Sequence, residues 1–259
     1  MVGCSGGSAV CAGIGAGYQP AEGPEMISRL LGGDVFGKVN YRSVLGIASR
    51  WLGRFDKSSG LLDPGTLRQA FRRMYGNLRL EELRPRTLLQ ATDVETGEGV
   101  LLSRGLVADA VYASSAFFPV LPPICIDGRW LADGVYSAPV PVLEAARRNM
   151  DVIIALDFQE RVTAEPGGFA DCFQRYIDST MRSLTRSQML LALDLREHEI
   201  VIVNVEFDHT INLRDLHEIP NILAAGRQAV EQSREAILSA VKSFARRKRG
   251  AFSGNSLPA

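Results

Sequence analysis

Gly3-Cys4-Ser5-Gly6-Gly7 opens the chain, and its reading decides the fold. The pattern is G-x-S-x-G, in which a serine sits on a sharp turn between a strand and a helix. A turn that tight crowds the backbone, and a residue without Cβ relieves the crowding and tolerates positive φ. The small residues that follow, Gly7-Ser8-Ala9-Val10-Cys11-Ala12-Gly13, let a helix begin close against a sheet. The N–H groups of its first turn then point at charge developing beside Ser5. Taken alone, the pentapeptide equally fits a Gly/Ser-rich N-terminal loop. Only Met1 and Val2 precede it, which is too few residues for a lead-in strand.

Size and composition narrow the class. A chain of 259 residues can bury a full core. Lys+Arg and Asp+Glu number 29 each, so no global field draws it to nucleic acid or acidic lipid, and no nucleic-acid partner is expected. No apolar run approaches the roughly 20 residues that cross a bilayer, so no transmembrane segment is expected. The start of the chain lacks the basic region of a secretory signal. Cys4, Cys11, Cys125 and Cys172 form no C-x-x-C pair and no metal spacing with the three histidines. They read as reduced thiols of a cytoplasmic protein, with no metal and no cofactor.

Further along, residues 26–31 look helical, and residues 32–60 are irregular. Their apolar side chains, among them Phe36, Tyr41, Leu45, Ile47, Trp51 and Phe55, suit either helices packed on a sheet or the cap of an acyl-binding site. Asp63-Pro64 is a helix start, with Asp as cap and Pro at the first helical position. Residues 87–94 and 99–103 read as strands joined by a turn at Thr96-Gly97, and residues 106–113 as a short helix. Leu131-Ala132-Asp133-Gly134 ends a strand at a glycine turn, and residues 141–149 form a helix. Val152-Ile153-Ile154-Ala155-Leu156 and residues 200–205 are all-apolar runs of strand length, as expected for strands buried on both faces. Residues 169–196 and 222–244 have helical periodicity. The basic run Arg246-Arg247-Lys248-Arg249 leads into a tail, 251–259, expected to be flexible. Alternating helices and buried strands predict a single α/β domain over 1–250 with helices on both faces of the sheet.

Several of these pieces together resemble the patatin-like phospholipases. They are Gly3-Cys4-Ser5-Gly6-Gly7, Ala91-Thr92-Asp93 with Thr96-Gly97-Glu98, Ala113-Ser114-Ser115-Ala116-Phe117-Phe118-Pro119, Asp133-Gly134, and Val135-Tyr136-Ser137-Ala138-Pro139-Val140. The resemblance implies a three-layer sandwich with a mostly parallel central sheet. It implies a Ser–Asp dyad, with Ser5 as nucleophile and Asp133 as proton acceptor, acting on a lipid or acyl ester with at most transient contact with a membrane surface. A carboxylate is a weak base for serine unless desolvation raises its pKa, and Trp130, Leu131, Val135 and Tyr136 are apolar neighbours that could desolvate it. Patatin-like chains also carry a strand and a Gly-rich oxyanion loop upstream of the elbow. None precedes Met1 in this sequence, which leaves the N–H groups of Gly6 and Gly7 as donors and predicts an N-terminally incomplete, weakened hydrolase.

Two alternatives stay open at this stage. A Ser–Asp–His triad is formally available, because His198, His209 and His217 all follow Asp133. A non-catalytic relative that binds lipid or a protein partner would keep the same fold. Substrate head group and oligomeric state do not follow from these residues.

Overall fold

The computed structural model describes residues 1–31, 38–49, 51, 53–160, 165, 167–195, 199–209, 211 and 215–253. They form two compact units, Met1–Pro141 with Arg175–Thr185, and Val142–Gln174 with Arg186–Ala259. The class is α/β, as the alternating pattern implied.

The first unit is built on strand β2, Leu88–Asp93, every residue of which is buried. Its sequence, Leu-Leu-Gln-Ala-Thr-Asp, has no surface alternation because the strand sits inside the sheet. Strand β1, Val2–Cys4, pairs with it in parallel, Val2 opposite Leu88 and Cys4 opposite Gln90. The lead-in strand that Met1 and Val2 alone could not supply is therefore present. It takes in the first half of the elbow itself, and the Met1 carbonyl accepts from Leu88 N at 2.9 Å to extend the ladder. Strand β3, Gly99–Leu102, returns as a hairpin along residues 89–92. Strand β5, Arg129–Asp133, is antiparallel to β2, Ala91 opposite Asp133. Strand β4, Ile124–Ile126, is antiparallel to β5.

This pairing fixes the site. With β3 covering one edge of β2, β1 and β5 share the other. β1 occupies residues 88–90 and β5 takes over at 91–93, so the end of β1 and the end of β5 meet at the Gln90–Ala91 step. Three of the four pairings in this sheet are antiparallel, unlike the mostly parallel sheet expected. The reason is local. Hairpin turns at Thr96-Gly97 and at Asp127-Gly128, with φ of 74° at Gly97 and 80° at Gly128, reverse the chain where a crossover helix would have kept it parallel.

Helix α1, Gly6–Gly15, follows β1 directly. Helix α2 spans Gly23–Leu31, and α3, Tyr41–Ala48, lies inside the stretch that looked irregular. The Asn40 side chain caps α3 by accepting from Ser43 N at 3.2 Å. Residues 32–37, 50 and 52 of that stretch, Phe36 among them, lie outside the described residues. Helix α4 spans Gly65–Tyr75, one residue later than Asp63-Pro64 implied: Pro64 takes the cap position, and Asp63 before it accepts from Gly65 N at 2.7 Å. Every residue of helix α5, Val107–Ser114, is buried except Asp109. Leu67, Phe71 and Tyr75 of α4, Val111 and Tyr112 of α5, and Leu89 and Leu131 of the sheet form one continuous core.

In the second unit, short helix α6, Val142–Ala146, precedes strand β6, Val152–Glu160. β6 runs parallel to β7, Glu199–Phe207, in a separate two-stranded sheet. Helix α8, Ile219–Ser253, covers β7, with Ala229 packed against Val203 and Val205. These strands are not buried on both faces as their apolar runs suggested. Ile153 and Ala155 are buried, whereas Ile154 and Leu156 are about half exposed. Helix α7, Phe169–Leu195, contributes its middle to the first unit and its ends to the second. Residues 251–253 of the expected tail belong to α8, and residues 254–259 lie outside the described residues. No described helix is long and apolar enough to cross a membrane.

Candidate active site

Ser5 stands on the step from β1 to α1 with φ 50° and ψ −124°. A non-glycine residue is rarely found there, and holding it costs on the order of 1–3 kcal/mol that the surroundings must supply. Part of the support comes from Gly3. A Cβ added to Gly3 would stand 2.7 Å from the Gly7 carbonyl oxygen and 2.8 Å from Ser8 Cα, so only glycine lets α1 begin this close to the strand. Gly6 and Gly7 are different: a Cβ on either would meet nothing within 4 Å. As the first two residues of α1, they carry N–H groups with no acceptor inside the helix.

Hydrogen bonds hold the rest of the turn. Ser5 N–H donates to the Ser114 carbonyl and to its hydroxyl oxygen, each at 3.1 Å. Ser114 Oγ in turn donates to the Gln90 carbonyl at 2.6 Å. The Ser5 carbonyl accepts from Ser8 Oγ at 2.6 Å and from Ser115 Oγ at 3.2 Å. Thus Ser114-Ser115, read in the sequence only as part of a family pattern, is the clamp that keeps Ser5 in its strained conformation. A Ser-Ser pair closing a buried helix is the signal that could have suggested it.

Asp133 ends β5 at the same point. Ser5 Oγ donates to Asp133 Oδ2 at 2.8 Å, and Val135 N–H donates to Oδ1 at 3.0 Å. Asp133 is 1% exposed. Burial pushes its pKa up from the usual carboxylate range to about 7, against the lowering by the Val135 N–H and the Ser5 hydroxyl. Leu131 is buried beside it in sequence, while Trp130, Val135 and Tyr136 are half-buried. Burial, followed by the nearby Asp133 charge, also drives the Cys4 thiol pKa upward, which keeps that sulfur protonated at the base of the elbow. All four cysteines are free thiols.

Gly134 is required by the meeting of strands. A Cβ there would collide with the Gln90 carbonyl and lie 2.9 Å from Cys4 Sγ. Below Asp133, Thr92 Oγ1 donates to the Asp133 carbonyl at 2.8 Å and lies 2.8 Å from Ser137 Oγ. Gln90 Nε2 donates to Ser137 Oγ at 3.1 Å. Gln90, Thr92 and Ser137 thus fix the backbone that carries the carboxylate. Asp93, on the same strand, accepts from Arg129 Nε at 2.7 Å and from Glu95 N at 2.8 Å, which hold it well below the ordinary carboxylate range and close the hairpin turn.

All seven residues singled out in the sequence, Gly3, Cys4, Ser5, Gly6, Gly7, Asp133 and Gly134, therefore fall at one junction. His209 pairs with Asp208 at 2.6 Å, His217 lies 3.4 Å from Glu218, and both belong to the second unit. His198 lies outside the described residues. Among the described residues no group of His, Cys, Asp or Glu has the arrangement of a metal site.

A strained serine at a strand–helix turn, hydrogen-bonded to a buried acid, defines the nucleophile-elbow class. Residues 1–146, more than half of the chain, match the patatin-like phospholipase family, and the chain belongs to that family. Uncharacterized NTE family proteins of Mycobacterium tuberculosis and Mycobacterium bovis are 32% identical to it over 128 residues. That stretch is 48% of this chain and 36% of theirs, so the chain spans about a third of the length of the curated relatives it matches.

Proposed function

We propose that this chain is a serine lipid acyl hydrolase that cleaves the acyl ester of a phospholipid, a lysophospholipid or a simpler ester through a Ser5–Asp133 dyad. The observation that carries the reading is the 2.8 Å hydrogen bond from Ser5 Oγ to a carboxyl group with almost no solvent exposure. A serine hydroxyl needs a base within hydrogen-bond reach. A base with a pKa near 7 is half ionised at neutral pH and takes a proton more readily than an ordinary carboxylate.

In the acylation step Ser5 Oγ attacks the ester carbonyl carbon as its proton passes to Asp133 Oδ2. The carbonyl π electrons move to oxygen and form a tetrahedral oxyanion. The N–H groups of Gly6 and Gly7 are the donors this chain offers to that oxygen, with the positive end of the α1 dipole behind them. Collapse breaks the carbon–oxygen bond to the alcohol, which leaves with the proton held by Asp133. Water then attacks the acyl-Ser5 ester, gives its proton to Asp133, and releases the fatty acid as Ser5 Oγ recovers it. The fixed turn matters because the oxygen must be held before the substrate arrives.

The test is covalent labelling with a fluorophosphonate probe together with hydrolysis of a soluble p-nitrophenyl ester. Labelling and turnover that disappear in Ser5→Ala support the reading. An intact chain that neither labels nor hydrolyses would reduce the site to a lipid-binding relic.

A further inference from the structure

Helix α3 is built inside out. Its inward side is Ser43, 3% exposed, and Gly46, where an added Cβ would stand 2.5 Å from the Arg54 carbonyl carbon. Its outward side carries the apolar residues. Tyr41, Val44, Leu45 and Ile47 are all exposed, and Tyr41, Val44 and Leu45 share one face by helical spacing. Trp51, in the turn beyond, is 98% exposed. A helix of a water-soluble surface has the opposite arrangement, so this face wants a cover.

Charge indicates the kind of cover. Between residues 38 and 57 stand the five cations Lys38, Arg42, Arg50, Arg54 and Lys57 against the single anion Asp56, a net charge of +4 inside a chain that is neutral overall. Arg54 pairs with Asp56 and Lys57 with Glu95, while Lys38 and Arg42, before and at the start of α3, are exposed. Aliphatic side chains at the centre, Tyr and Trp at the ends and cations at the rim make up an interfacial lipid-binding surface.

The same segment is tied to the candidate active site. Leu61 N donates to the Pro119 carbonyl at 2.8 Å and Leu62 N to the Val120 carbonyl at 2.9 Å. Phe55 meets Phe118 edge-on at 5.8 Å. The Phe118 carbonyl accepts from Tyr136 Oη at 2.6 Å, three residues beyond Asp133.

We infer that the outward face of α3, with Trp51, seats on an anionic lipid bilayer and holds the first unit against its substrate. In naming that substrate's physical form, the inference rests on the hydrolase reading above. The rim cations neutralise anionic head groups while Val44 and Leu45 enter the acyl boundary, so attachment weakens as salt rises.

The experiment is vesicle co-flotation of the full chain carrying Ser5→Ala, so that partition is measured without turnover. The vesicles are phosphatidylcholine alone, or phosphatidylcholine with about 30% phosphatidylglycerol. The expected result is binding to the anionic vesicles, lowered about tenfold or more by Val44→Glu with Leu45→Glu and by Trp51→Ala. In the Ser5 background the double variant should keep its rate on a soluble ester while losing hydrolysis of vesicle lipid. With Trp130→Phe, the emission of Trp51 should shift to the blue on binding. Equal partition of parent and both variants overturns the inference. So does self-association of the parent that the double variant abolishes with no change in partition. Partition that behaves as expected in a chain that never hydrolyses the soluble ester would sustain the surface and sink the hydrolase reading instead.

Discussion

The Ser5 N–H is shared between the carbonyl and the hydroxyl of Ser114, 3.1 Å from each. One residue of a buried helix thereby holds a turn that lies 109 positions away in the chain. The Ser114 hydroxyl also donates to Gln90, so it links the elbow to the central strand. Removing it in Ser114→Ala leaves the Gln90 carbonyl without this donor and the strained serine with one support fewer. The expected loss is about 1–3 kcal/mol of stability, read by denaturant unfolding, together with a fall in kcat larger than any rise in KM. Unchanged unfolding midpoints would show that the clamp is idle.

Asp133 should set the acid limb of the pH–rate profile. With its pKa near 7, kcat/KM on a soluble ester should drop about tenfold for each pH unit below that value. A limb near pH 4, where an exposed carboxylate titrates, would mean that burial does not tune this group.

The same shift has a consequence for stability, opposite in sign to its use in catalysis. The folded chain holds the Asp133 proton more tightly than the unfolded chain does. Its contribution is therefore fully present below about pH 4, is lost as pH rises toward 7, and stays lost above. Asp133→Asn removes the titration but keeps an acceptor for the Val135 N–H. The variant should lose activity by at least about a hundredfold. At pH 8 it should be more stable than the parent by up to roughly 3–4 kcal/mol, and near pH 4 the difference should vanish. Thermal unfolding at the two pH values checks both statements.

Glycines of the elbow should separate into two kinds. Gly3→Ala drives a methyl into the Gly7 carbonyl and Ser8 Cα, so it should lower the melting temperature sharply or prevent soluble expression. Gly6→Ala and Gly7→Ala project into open space and keep their N–H groups. Both should fold with little change in melting temperature. An effect on turnover should then appear as a raised KM, from a methyl standing where substrate enters. Equal destabilisation by all three would contradict the geometry.

Much of this was legible in the residues, and unevenly so. The elbow and the Asp-Gly end of β5 announced themselves, because each is a local requirement for small or buried side chains. Strand direction did not. Whether β5 runs with or against β2 depends on the whole path between them, through β3, α5 and the β4–β5 turn, and its residues carry no mark of the partner they will meet. Helix α3 was hidden for a different reason. Its apolar residues face outward, so periodicity referred to a core misleads, and only Asn40 marks its start. Likewise, Val152-Ile153-Ile154-Ala155-Leu156 looks like a fully interior strand, yet β6 alternates in exposure. The polar group beneath Asp133 could not be foreseen either, since Gln90, Thr92 and Ser137 come together only through the β2–β5 pairing.

The edge of β2 passes from β1 to β5 at a single peptide step, and Ser5 and Asp133, the proposed dyad, come from either side of it. Their contact spans 128 residues of sequence. No short fragment can contain it, and no partly collapsed chain can approximate it, because it waits on the slowest kind of closure the backbone makes. Ester turnover is then a stringent gauge of how many molecules in a preparation have completed folding: a misassembled fraction would register as missing titratable serine, with the remaining molecules working at full speed.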